Sequence, residues 1–181
     1  MCVVIFDVIL SSLLFKPIKA EEISENLIKM IGSDWMLITA GTREKFNTMT
    51  ASWGYAGFMW NRPSAICFVR PERYTYGFME RADDYTLSFF SEKYRDALKL
   101  CGSKSGKHTD KPKEAGLTPK FLPNGTVSFE EASLILECRK VYADNLKPEN
   151  FFVQHIIDNV YNNDGYHRMY IGEITQILQK Q

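Results

Sequence analysis

Strand-length apolar runs outnumber helical ones in this sequence and do not alternate with them, and this most constrains its fold. Residues 34–40, 46–53, 64–69, 85–90, 126–142 and 167–178 read as strands, the fifth stretch as one or two. Helical patterns are inserted at 21–30, 75–81, 92–100 and 148–160, with Gly32 and Gly102 as stops and Ser91 as an N-cap. A doubly wound parallel sheet needs regular alternation of strand and helix, so that class is excluded. Many short strands must instead manage their edges, which points to a mainly β chain closed into a barrel or a split barrel. The glycine- and aromatic-rich stretch 54–61 reads as a connection, 103–119 as a polar basic loop, and 162–165 as a turn. No repeat or internal domain boundary interrupts the pattern, and 181 residues at 45% hydrophobic content suffice for one core.

Several function classes drop out. Lys+Arg and Asp+Glu both number 22, so no chain-wide field for nucleic acid or an anionic membrane exists. Cys2, Cys67, Cys101 and Cys138 lie far apart and read as reduced thiols of a cytoplasmic protein. His108, His155 and His167 show no ligand spacing, so zinc is not indicated. The apolar run at 3–14 is too short to span a bilayer and lacks a preceding basic segment, so 1–14 is expected to be an atypical extension of a domain covering 15–181. Rossmann, P-loop, zincin and nucleophile-elbow motifs are missing.

What remains is an anion-and-ring chemistry in two segments. In Asn47-Thr-Met-Thr-Ala-Ser-Trp53, strand alternation puts Thr48, Thr50 and Ser52 on one face and Met49, Ala51 and Trp53 on the other. In Val69-Arg-Pro-Glu-Arg-Tyr-Thr-Tyr76, Arg70 and Arg73 stand where a strand ends and a helix begins. Guanidinium forks match phosphate oxygens, and helix amides with Thr75 add donors. The alternative is surface ion pairing of both arginines with Glu72 or Glu80. His167 titrates in the physiological range, but at a strand start it is read as structural.

These segments, with Asn61-Arg-Pro63, Leu87-Ser-Phe-Phe90, Cys101-Gly-Ser-Lys-Ser-Gly106 and His167-Arg-Met-Tyr-Ile-Gly-Glu173, resemble the flavin reductase-like family, the FMN-binding split β-barrels similar to flavoredoxin. The resemblance covers roughly residues 15–178. It implies a homodimer with FMN near the subunit interface. Asn47, Thr48, Met49, Thr50, Ala51, Ser52 and Trp53 would run along the flavin, with Tyr74 flanking it. Arg70, Arg73 and Thr75 would hold the phosphate, Phe90 and Ser91 would border the pocket, and Lys107 would reach phosphate or a nicotinamide nucleotide. It further implies hydride transfer from NAD(P)H to flavin and onward electron delivery. The alternatives are a carrier fed by a redox protein partner, or a non-catalytic flavin- or haem-binding barrel. No catalytic acid or base can be named on this basis.

Overall fold

A computed structural model gives the fold and describes residues 14–161 and 165–181; all but the last residue of the expected extension at 1–14 and most of the 162–165 turn lie outside them. Seven strands form an antiparallel path: β1 Phe15–Ile18 stands off it, and the path uses β2 Met36–Gly41, β3 Phe46–Ala51, β4 Gly54–Met59, β5 Arg62–Val69, β6 Asp84–Phe89, β9 Leu134–Asn145 and β10 Arg168–Lys180. Between β6 and β9, β7 Pro119–Phe121 and β8 Val127–Phe129 make a separate ribbon. The order is β3-β2-β6-β9-β10-β5-β4. Its two outermost strands, β3 and β4, are consecutive in the chain and separated only by Ser52 and Trp53. Three steps of about 3.8 Å hold their ends within ~11 Å. The sheet therefore coils back on itself and stays unpaired along one seam, as a split barrel does.

β10 makes this coiling possible. Its register against β9 shifts between Ile171 and Gly172 and again between Ile174 and Gln176. Such bulges bend a strand and add twist. The first half of β10 consequently pairs with β5 and the second half with β1. Core residues sit on both faces of β2: Met36, Ile38 and Ala40 join one cluster with Leu87, Phe89, Leu136 and Tyr170, while Leu37 joins another with Leu98, Phe129 and Ile135. Burial on both faces is why 34–40 reads as continuously apolar rather than alternating.

Four sequence expectations are corrected. Residues 54–59 form strand β4, not a connection, because Trp60 and Asn61 at φ 53° and 58° make a two-residue turn into β5. Both φ signs match the type I′ hairpin, but Trp is an unusual occupant and hides the signal. The basic loop contains a helical turn at Lys111–Ala115, started by the Asp110 side chain on the Lys113 N–H and closed by left-handed Gly116. The 148–160 helix breaks into short pieces, Pro148–Asn150, Gln154–Ile156 and a π-helical turn Ile157–Tyr161. At the other end, the 21–30 helix starts only at Leu27, capped by Asn26, and runs through Gly32 to Asp34. Among the described residues no helix is long and apolar enough to cross a membrane.

Two longer helices anchor the site, α2 Tyr74–Arg81 and α3 Arg95–Ser103, following α1 Leu27–Lys29. α2 buries Phe78 and Met79 in the first cluster. Its C-terminal end is clamped by the Lys140 ammonium on the Met79 and Glu80 carbonyls, and by Arg168 and the Tyr170 hydroxyl on the Glu80 carboxylate. With that end fixed, the position of Arg73 to Thr75 at its start is fixed too.

Candidate functional site

A cleft of about 570 Å³ opens at the seam, within the ~300–1,000 Å³ usual for small-ligand sites. It is lined by Met49, Thr50, Ala51, Ser52, Trp53, Phe68, Arg70, Glu72, Arg73 and His167. Five consecutive residues, Met49 to Trp53, line it. Side chains of one strand face alternate at every residue, so the cleft follows the edge of β3 and not one of its faces. Among the described residues that edge carries main-chain groups with no strand partner.

A smaller pocket of about 100 Å³ continues the cleft, sharing Met49, Glu72 and Arg73 and adding Tyr74, Thr75, Ser103, Lys104, Ser105 and Lys111. It is the cation-rich end. Its walls are built by the last turn of α3, whose terminal carbonyls lack helical partners. The Gly102 carbonyl accepts from Arg73 Nη1 at 3.2 Å, and the Cys101 carbonyl accepts from Lys111 Nζ at 2.8 Å. Cations are favoured at a helix C-terminus. Lys111 is only 5% exposed and also donates to the Thr48 carbonyl at 2.9 Å, so it ties β3 to α3. Burial pushes its pKa down, opposed by Cys101 and assisted by Arg73. Sequence reading missed Lys111, one of several lysines in a polar stretch; the Asp110 cap was the available clue.

The expected site residues divide into three groups. Met49, Thr50, Ala51, Ser52, Trp53, Arg70 and Arg73 line the cleft, and Arg73, Tyr74 and Thr75 line its smaller continuation. Asn47 and Thr48 are buried behind it: Asn47 Nδ2 donates to Thr75 Oγ1 at 2.7 Å, and the Thr48 hydroxyl bonds to that of Thr39 and to the Ile38 carbonyl. They brace the wall, and the Thr50 hydroxyl is likewise spent on the Leu98 carbonyl. The row of hydroxyls facing a ligand is thus not found. Phe90 is packed in the second core cluster against Tyr94 and Phe129, Ser91 precedes the turn Glu92–Tyr94, and Lys107 is exposed; none of the three lines the cleft in the single chain. Glu80 is engaged by Arg168, and Glu72 accepts from the Gly165 N–H, so neither makes the arginine pairs considered from sequence.

His167, set aside as structural, forms part of the wall. Its ring lies 4.8 Å from that of Trp53, and Nδ1 is 3.0 Å from the Tyr161 hydroxyl. Burial first, then Arg70, push its pKa down to about 4, with Arg73 adding to this and Glu72 opposing it. Between about pH 4 and 6.5 the unfolded chain therefore binds more protons than the folded one. The neutral ring contributes stability above the ordinary value, lost as pH falls toward 4. We expect His167→Gln to flatten the fall in Tm between pH 6.5 and 4 relative to wild type. Parallel calorimetric curves for the two proteins would contradict this.

A family model described as the flavin reductase-like domain matches residues 29–181. The chain belongs to the flavin reductase-like family. Among solved structures it is similar to an FMN-binding protein from Thermus thermophilus with bound p-hydroxybenzaldehyde, at 17% identity and TM-score 0.66, covering 92% of this chain and 82% of that one. A flavoredoxin from Methanosarcina acetivorans gives 20% identity and TM-score 0.63, covering 82% and 69%. The NADH:FAD oxidoreductase of Streptomyces globisporus C-1027 gives 13% and 0.62, covering 81% and 75%. No curated protein matches the chain at a significant level. These likenesses establish the fold, and membership of the flavin reductase-like family makes its chemistry flavin-related redox.

The residues present fit a flavin. An edge of unpaired main chain offers donors to a flat ring, and the contiguous pocket with Arg73, Thr75 and buried Lys111 offers positive charge to a phosphate. Bound flavin would supply hydride acceptance and electron delivery; the protein supplies binding, orientation and electrostatics.

Proposed function

We propose that this chain is an FMN-dependent oxidoreductase that draws reducing equivalents from NAD(P)H and passes them to an acceptor. One observation carries the reading: a slot along an open strand edge adjoins a cation-lined pocket, the two sharing Met49, Glu72 and Arg73, which matches a ring joined to a phosphate. Arg70, Arg73, Thr75 and Lys111 would hold the anionic end. Trp53, 44% exposed, would flank the ring system, and a neutral His167 would limit the positive charge beside it. The likeness to a flavoredoxin supports a second reading, a carrier reduced by a protein partner.

The reading includes a homodimer. The β4 hairpin leaves Tyr55, Phe58 and Trp60 at 67%, 70% and 53% exposure on a strand edge, apolar surface that a second copy would cover.

The test is to load the purified protein with FMN, desalt it, and add NAD(P)H without oxygen while recording the visible spectrum. We expect retained flavin that bleaches, in a particle sedimenting at twice the chain mass. Retained flavin that stays oxidised would replace the nicotinamide reading with the carrier. The absence of both retained flavin and flavin turnover would overturn the cleft assignment.

A further inference from the structure

We infer that Tyr161 is a positioning residue: its hydroxyl donates to His167 Nδ1, fixes the imidazole in the tautomer protonated at Nε2, and so gives the cleft a neutral N–H donor for a carbonyl oxygen or ring nitrogen of the bound ligand. The ligand half of this statement rests on the flavin reading of the cleft; the tautomer half does not.

The direction of the hydrogen bond follows from accounting for one proton. Tyr161 is 6% exposed, and among the described residues its hydroxyl has a single partner, His167 Nδ1 at 3.0 Å. Were Nδ1 the donor, the phenolic hydrogen would have no acceptor among the described residues, a costly arrangement in a nearly buried side chain. With the phenol donating, Nδ1 accepts and the neutral ring must carry its hydrogen on Nε2. A phenol is also the weaker base of the two, so the proton stays on oxygen.

The ring's surroundings keep it neutral and in place. Arg70 and Arg73 disfavour a third cation, while among the described residues Glu72 is the carboxylate pulling the other way. The Arg70 guanidinium lies over the Tyr161 ring at 5.6 Å and donates to the Val160 carbonyl at 2.9 Å, which secures the turn that carries Tyr161. Tyr166 also stacks on the phenol, 4.7 Å between centroids at 20°. Trp53 lies against the imidazole itself. Nε2 has no protein acceptor among the described residues, and His167 lines the cleft. A second cavity, of about 550 Å³ and mostly apolar, lies behind this wall and shares Ser52, Trp53 and Phe68 with the cleft; Tyr161 lines it. The Tyr161–His167 bond thus crosses from the apolar side to the polar side of one partition.

The experiment uses the full-length protein labelled with ¹⁵N-histidine, read by long-range ¹H–¹⁵N correlation without ligand near pH 7. His167→Gln identifies the His167 signals among those of the three histidines. We expect the Nε2–H tautomer alone in wild type and a mixture of tautomers in Tyr161→Phe. FMN titrations are expected to weaken about five- to tenfold in Tyr161→Phe and in His167→Gln, the scale of one hydrogen bond, with no further loss in the double variant. An Nδ1–H tautomer in wild type, an unchanged single tautomer in Tyr161→Phe, or additive losses of FMN affinity would overturn the proposal. The wild-type spectrum decides the first point even if Tyr161→Phe does not fold. Absent FMN binding by wild type would sink the flavin reading and the donor role together, while the spectrum still reports on what Tyr161 does to His167.

Discussion

Replacing Arg70 and Arg73 together by alanine is expected to raise the FMN dissociation constant at least about tenfold, ~1.4 kcal/mol, with the fold retained. Both side chains line the cleft, and Arg73 alone also lines the small pocket beside Thr75 and Lys111. A guanidinium has five N–H donors, and Gly102 takes one from Arg73. The charge-assisted bonds the others can make to phosphate are stronger than neutral ones. Arg70 also holds the Val160 carbonyl and the Tyr161 ring, so part of its loss would be conformational. Arg73→Ala alone should therefore carry the larger share and should lessen the salt dependence of binding. Affinity by fluorescence titration, with circular dichroism to confirm folding, is the check. An unchanged dissociation constant in the folded double variant would remove the phosphate from this pocket.

Gly172→Ala is expected to destabilise the sheet strongly. A Cβ at that position would stand 2.5 Å from the Tyr85 hydroxyl oxygen and 2.9 Å from Cys138 Cβ. Both neighbours are buried in the first core cluster and have no room to retreat. Overpacking of this kind costs about 1–3 kcal/mol. Among the described residues the Tyr85 hydroxyl is buried with no oxygen or nitrogen partner, only the weakly bonding Cys67 and Cys138 thiols lying beside it. Its removal in Tyr85→Phe is expected to be neutral or stabilising by about 1 kcal/mol, and to relieve part of the Gly172→Ala loss, since the contact with Cys138 remains. Urea denaturation of the two single variants and the double variant measures the coupling. Strictly additive effects would mean that Tyr85 is not what Gly172 makes room for.

The sheet was legible in the sequence wherever burial imposed a pattern. The apolar runs at 34–40, 64–69 and 85–90 became β2, β5 and β6 within a few residues. β4 was not legible, because Gly54, Gly57, Tyr55 and Phe58 alternate without a buried face and the Trp60–Asn61 turn lacks the usual residues. In the cleft, Arg70 and Arg73 could be found because Arg-Pro fixes a strand end and the next residues start a helix. Thr48 and Asn47 could not be told apart from ligand contacts, since their role depends on Thr39 and Thr75, distant in sequence. Lys111 escaped for the same reason, since its Thr48 partner is distant in sequence; the Tyr161–His167 pair, only six residues apart, escaped because no recognisable motif joins the two residues.

The seam between β3 and β4 bears on how such a protein can change over time. Where two strands end a sheet without pairing, a ligand seated on the edge would be recognised by the peptide backbone, which every residue type except proline supplies in the same form. Substitutions along the lining can then accumulate while the donors stay in place, provided the coil of the sheet is kept. Solved relatives of this fold share only 13–20% of their residues with this chain. A recognition surface written in main chain would be compatible with such drift, and would place the strongest constraint on the glycines and bulges that shape the sheet.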